Sequence, residues 1–159
     1  MRTENWCGHN IRFVEHEGEW WAILKDICDA LDLQVGKVSH RLDADMQVRV
    51  PVQVEVPSKH VDSQTYWMLA VNEYGIYEAL FASKRLEARK FRRWTATVLK
   101  KLRSRVGLEG YEVMRLTEPE IQEEIDLILD TVFWDDEKKM LMESVTVQGG
   151  DVEIVPFEG

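Results

Sequence analysis

The spacing of apolar and polar positions changes several times along the chain, and each change marks an element. In "IRFVEHEGEWWAIL", Ile11 and Phe13 flank Arg12, Glu17 and Gly18 supply turn chemistry, and Trp20 to Leu24 form a second apolar run. That pattern predicts a β-hairpin. "LKDICDALDL" then switches to helical spacing through Ile27, Ala30 and Leu31, and a second short helix over Lys37 to Leu42 follows Gly36. The strictest alternation is "VRVPVQVEVP", where Val48, Val50, Val52, Val54 and Val56 fall on one side of an extended chain and Arg49, Gln53 and Glu55 on the other. Pro51 has no N–H and shares the polar side, which places this strand at a sheet edge or at a bulge. A polar loop over Pro57 to Gln64 leads to "TYWMLAV", the expected partner strand.

The period returns to helical after Asn72, a good N-cap, with Ile76, Leu80 and the Tyr77/Phe81 pair on "EYGIYEALFAS". Ser83 is expected to cap a long helix running from Lys84 to about Val106 and ended by Gly107. On a helical wheel Phe91, Trp94, Thr95, Val98, Leu99 and Leu102 share one face, and Arg85, Arg89, Arg92, Arg93, Lys100 and Arg103 share the opposite one. The expectation is an aromatic face in the core and a cationic face outside. "TEPE" at 117–120 reads as a capping box with Pro in the first turn of an acidic amphipathic helix through Ile121, Ile125, Ile128 and Leu129. The tail "SVTVQGGDVEIVP", with a Gly149-Gly150 turn, reads as a terminal hairpin. The fold class is therefore α+β: a small antiparallel sheet built from β-hairpins and packed against several helices. Residues 1–112 form its main domain, and 113–159 a C-terminal extension of an acidic helix and a hairpin.

At 45% hydrophobic and 31% charged, with six Trp, the composition is that of a folded globular chain. Cys7 and Cys28 make no disulfide framework, and there is neither a secretory leader nor an apolar run of membrane length. The expected setting is the cytoplasm, without a membrane partner. The net charge of −9 argues against indiscriminate coating of nucleic acid, but its distribution is uneven. Lys84 to Arg105 holds ten of the 20 Lys and Arg and one of the 29 Asp and Glu, so this segment carries +9 and the rest sums to −18. Such one-sided charge is answered either by a partner, phosphate or protein, or by the acidic helix after Thr117. Arg85, Arg89, Arg92, Arg93, Lys100 and Arg103 are the candidate contacts to nucleic acid or a partner.

Signals for chemistry are weak by comparison. "CGH" at Cys7 to His9 is a lone Cys-x-His without a second pair, and it makes no metal site. Asp26, Asp29 and the acids Asp126, Asp130, Asp135, Asp136 and Glu137 have no nucleophile, phosphate loop or His partner at a recognisable spacing. There is no Walker loop, dinucleotide fingerprint or nucleophile elbow. Neither a catalytic residue nor a cofactor is expected.

Two blocks taken together resemble the N-terminal BRO domain of phage antirepressors and related viral regulatory proteins. The first is "GEWWAILKDICDALDL", a hairpin ending in an aromatic pair followed by a lysine-aspartate helix that ends in alanine-leucine. The second is "VNEYGIYEALFASKRLEARKFRRWTATVLKKLR", with its asparagine-glutamate-x-glycine-x-tyrosine helix, serine junction and phenylalanine-x-arginine-tryptophan helix. Together they span most of residues 10–106. Three features depart from the pattern. The family's frequent proline is absent from "VLKKLR", the middle from Asp43 to Gln64 carries no family motif, and the tail beyond Glu112 is not one of the longer C-terminal domains.

The resemblance implies a protein of phages, prophages or large DNA viruses that binds DNA or disables a repressor by binding it, and it brings no catalytic residue. The leading expectation is an antirepressor-type regulator in a bacterial host cell, a homo-oligomer whose acidic body engages a basic phage repressor. The alternative is direct DNA binding by the helix at 84–105. This would be weak and salt-sensitive, because its basic face lacks the Asn and Gln that read adenine edges. A third reading is inhibition of a host defence protein through an acidic surface that mimics DNA.

Overall fold

The computed structural model describes residues 1–58 and 61–132. The chain forms two compact units, one from Met1 to Thr95 and a second beginning at Ala96. The first contains β1 (Arg2–Trp6), β2 (His9–His16), β3 (Glu19–Ile23), β4 (Gln47–Ser58) and β5 (Val61–Val71), in one antiparallel sheet of order β1-β2-β3-β5-β4. Its helices are α1 (Leu24–Leu31), α2 (Val35–Arg41), α3 (Glu73–Ala82) and the first part of α4 (Leu86–Arg105), with a 3-10 turn at Ala44–Met46. The α+β class expected from the hydrophobic pattern is the class observed.

One device makes both N-terminal hairpins. Cys7 and Gly8 sit at φ 49° and 82°, and Glu17 and Gly18 at 51° and 79°. Two successive positive φ angles define the type I′ turn, whose twist matches that of the strands it joins. Glu17 and Gly18 form the turn the pattern predicts. β1 is an addition to it, because four of its five residues are exposed and this edge strand carries no apolar alternation. "CGH" is thus a hairpin corner.

β4 is the other edge strand, and Pro51 stands there opposite Trp67, where its missing N–H costs no ladder bond to a further strand. Residues of alternating parity fill two cores. Ile11, Ala22 and Val71 join Leu24, Ile27, Leu31, Val38 and Ala79 from the helices, while Trp21, Ile23, Val50, Val52 and Ala70 cluster on the opposite face of the sheet. Ile23, Leu24, Val52 and Val71 are wholly buried, and each stabilises the fold by about 1.5–3 kcal/mol relative to an exposed side chain. β2 is tied to α1 by a bidentate ion pair, Arg12 Nε and Nη2 donating to Asp26 at 2.8 and 2.9 Å, and the Arg12 backbone N–H donates to the same carboxylate. That pair holds the Arg12 guanidinium pKa above its ordinary value.

Helix ends follow the expected chemistry at two places and depart from it at two others. Asn72 caps α3 by accepting from the Gly75 N–H at 3.1 Å. Gly107, at φ 82°, ends α4 with paired bonds from Gly107 N–H to the Ser104 carbonyl and from Leu108 N–H to that of Arg103. Ser83, however, is not the cap of α4. It is buried, its hydroxyl donates to the Leu31 carbonyl, and α4 begins at Leu86. In the second unit the capping box is formed by Glu109 and Glu112 at the start of a 3-10 helix, Gly110–Thr117, rather than by "TEPE". Pro119 opens α5 (Pro119–Val132) at its first position. The expected terminal hairpin and the acids Asp135, Asp136 and Glu137 lie outside the described residues.

Two measurements check this packing. A Cβ at Gly75 would stand 2.7 Å from the Val71 Cβ and 3.3 Å from the Met46 carbonyl, so Gly75→Ala is expected to lower unfolding free energy in urea by about 1–3 kcal/mol. An undiminished midpoint would remove that steric account. Cys28 is buried, and desolvation first and the Asp29 charge second push its thiol up to about 11, whereas Cys7 is exposed. Titration with an aromatic disulfide at pH 8 is expected to modify Cys7 in the native protein and Cys28 only after denaturation.

Candidate nucleic-acid or partner interface on helix α4

The ends of two helices decide how α4 is seated. Neither α1 nor α3 carries a basic residue in its own last turn, so the partial negative charge of their C-terminal carbonyls is unanswered locally. Arg85 answers the first: its Nη1 donates to the Ala30 carbonyl at 2.6 Å and lies 3.2 Å from His9 Nε2, which accepts only when unprotonated. The same guanidinium stands 5.8 Å over the Trp6 ring, and its Nε is 3.5 Å from Glu87. Arg92 answers the second, its Nη1 shared among the carbonyls of Leu80, Phe81 and Ser83.

These bonds turn α4 about its axis relative to the expected wheel. The buried line passes through Ala88, with Arg85 three residues before it and Arg92 four after. The aromatic face expected in the core is therefore swung toward solvent. Trp94 is 62% exposed and Leu99 49%, while Phe91 is half-buried. The physical reason is that two guanidinium groups with carbonyl partners, plus a small Ala that permits close approach, outcompete a bulky indole for the inner position. Phe91 stacks at 6.1–6.2 Å on Tyr77 and Phe81 and lies 6.1 Å from Trp94, leaving an aromatic ladder at the surface of α3 and α4.

The six candidate cations thus separate. Arg89 and Arg93 are exposed, and with Lys90, Leu86 and Arg92 they line one shallow hollow without a carboxylate. Arg85 and Arg92 are half-buried and committed to backbone carbonyls. In the second unit Lys100 is exposed, and Arg103 donates to the Leu108 carbonyl, closing the turn that ends α4. Among the described residues, no ion pair joins α5 to Lys100, Lys101, Arg103 or Arg105, and Arg115 pairs instead with Glu112 and Glu118. The wheel could not show which arginines would find carbonyls, because those acceptors lie outside α4, at the ends of α1 and α3 and in the turn after α4. Lys90 was missed because it lies between the two wheel faces. Its signal is its place three residues before Arg93.

Two of the remaining candidate carboxylates are occupied structurally. Asp26 holds Arg12, and Asp29 takes the Lys25 ammonium at 2.8 Å. No group of three metal-ligating side chains occurs among the described residues, and no helix there is long and apolar enough to cross a membrane.

The model of the BRO family, N-terminal domain, matches residues 10–101, from the start of β2 to the basic turn of α4. The chain belongs to the BRO family. Comparison with curated proteins and with solved structures finds no match. The BRO match encloses β2 to β5, α1 to α3 and the cationic hollow, and excludes β1 and α5. It makes this a regulatory protein of the phage and viral kind, from a family associated with DNA binding.

Removing a carbonyl-bound arginine leaves a half-buried helix end without its donor. Arg85→Gln and Arg92→Gln are each expected to lower stability by about 2 kcal/mol, and Arg89→Gln and Lys90→Gln by less than about 0.5 kcal/mol, in urea unfolding followed by circular dichroism. Equal effects at all four positions would contradict the division of roles.

Proposed function

We propose that this BRO domain contacts DNA phosphates through Arg89, Lys90 and Arg93, and regulates transcription by occupying DNA. The observation that carries the reading is the hollow on α4, where cations stand close together with no acid among the lining residues. Arginine and lysine presented this way suit phosphate oxygens, and their attraction is independent of base sequence. No Asn or Gln lines the hollow to read a base edge, so binding is expected to be weakly selective. Arg92, although it lines the hollow, contributes chiefly by holding α4 to α3.

A second reading is favoured by the charge outside α4. The chain apart from Lys84 to Arg105 sums to −18, and an acidic body suits a basic DNA-binding repressor, which it would draw off its operator as an antirepressor does. On that reading the hollow is one face of a protein whose other faces engage a cationic partner.

Fluorescence anisotropy with random-sequence duplex DNA, repeated across a salt series, tests the first reading. Each phosphate contact contributes about 0.9 to the slope of log affinity against log salt, so replacing Arg89, Lys90 and Arg93 by Gln is expected to reduce that slope by about 2–3. A slope unchanged by the triple substitution would exclude the hollow as the DNA surface. Displacement of operator DNA from a cognate repressor by the wild-type protein is the result expected for the second reading.

A further inference from the structure

Between the start of β3 and the first turn of α3 lies a cleft of about 420 Å³. Phe13, Trp20 and Tyr74 supply aromatic walls, Trp20 being 49% and Tyr74 68% exposed. Glu19 and Glu73 supply two carboxylates, and no Lys, Arg or His lines the space. Tyr77 donates its hydroxyl to one oxygen of Glu73 at 2.8 Å, fixing that carboxylate at the mouth. The Asn72 amide is already spent, its oxygen on the Gly75 N–H and its nitrogen on the Asp45 carbonyl. The N-terminus of α3 is therefore capped, and two full negative charges outweigh the roughly half-unit positive charge of a helix end.

A second pocket, of about 280 Å³, adjoins the first through the shared walls Phe13 and Ile76. Trp6, Ile11 and Leu80 make it apolar, and Glu4 at its edge is paired with Arg2 at 2.6 Å. An anion would be repelled from the first pocket, and a purely apolar occupant would strip water from two carboxylates without replacing it. A guanidinium or ammonium group satisfies both features, gaining the carboxylates by charge and the aromatic faces by cation–π attraction.

We propose that the two pockets form one docking site for a protein segment that presents an Arg or Lys beside a bulky apolar side chain. The cation enters between Trp20 and Tyr74, and the apolar group fills the pocket under Trp6. This deepens the antirepressor reading by giving the chemistry of the partner's contact segment, and it depends on that reading only for which protein supplies the segment.

The test uses N-acetyl-arginyl-leucine amide as probe and the indole N–H signal of Trp20, assigned through Trp20→Phe, as reporter. A saturable shift in the millimolar range is expected, about tenfold weaker when glutamine replaces the arginine of the probe, and about tenfold weaker in the Glu19→Gln/Glu73→Gln protein. Both glutamates are exposed, so that double variant is expected to stay folded. No shift, or an equal shift with the glutamine probe, overturns the proposal. Probe binding without any repressor binding upholds the site and removes the antirepressor reading. A repressor that binds the double variant as tightly as wild type upholds that reading and overturns the role of the cleft in it.

Discussion

The unanswered carbonyls at the C-terminal ends of α1 and α3 are the constraint on which the seating of α4 depends. Both helices end inside the first unit without a basic residue in the last turn, so their last carbonyls need donors from elsewhere. Ser83, Arg85 and Arg92 supply the missing donors from the junction between α3 and α4 and from α4 itself. A guanidinium bond to a carbonyl contributes about 1.5–3 kcal/mol, more than one half-exposed aromatic edge, so these contacts set the rotation of α4. Everything displayed by the outer surface of its first turns follows from that rotation.

Where the sequence was legible, the signals were local. The valine alternation located β4, Pro51 marked it as an edge, Glu17 and Gly18 located a turn, and Asn72 located the start of α3, each because one residue's backbone preference or one period decides the matter. What escaped was non-local. The wheel for α4 assumed that aromatic groups go inward and cations outward, and it could not foresee carbonyl acceptors contributed by Ala30 and Leu80. β1 escaped for a different reason, since a mostly exposed edge strand needs no apolar alternation. Ser83 shows the same limit at a single residue. Its identity suited a cap, yet its buried position gave its hydroxyl to Leu31.

The charge count is changed by the same distinction. Six of the ten cations between Lys84 and Arg105 share one face of the wheel as candidate contacts, but a cation already bonded to carbonyls has lost part of its hydration and much of its freedom to move toward a ligand. Arg85, Arg92 and Arg103 are of this kind, and Arg89, Lys90 and Lys100 keep their exposure. A net-charge argument from sequence therefore counts cations correctly and overstates those available to phosphate. In a BRO domain the distinction separates residues that fix the interface helix from residues that could meet DNA on it.

Two surfaces of opposite character then coexist in the first unit, the cationic hollow of α4 and the acidic aromatic cleft at Trp20. Their physics differs in a way that ionic strength exposes. Contacts from exposed cations to phosphate rest on counterion release and fall steeply with salt. A cation enclosed by indole and phenol rings is held partly by dispersion and ring quadrupole, which salt screens little, with the carboxylates adding a screened component. At low salt a regulator built this way would favour DNA through the hollow, and as salt rises the balance would move toward a protein segment in the cleft. The aromatic walls, more than the excess of acid in the chain as a whole, are thus what would let such a domain prefer a protein partner under the ionic conditions of a cell.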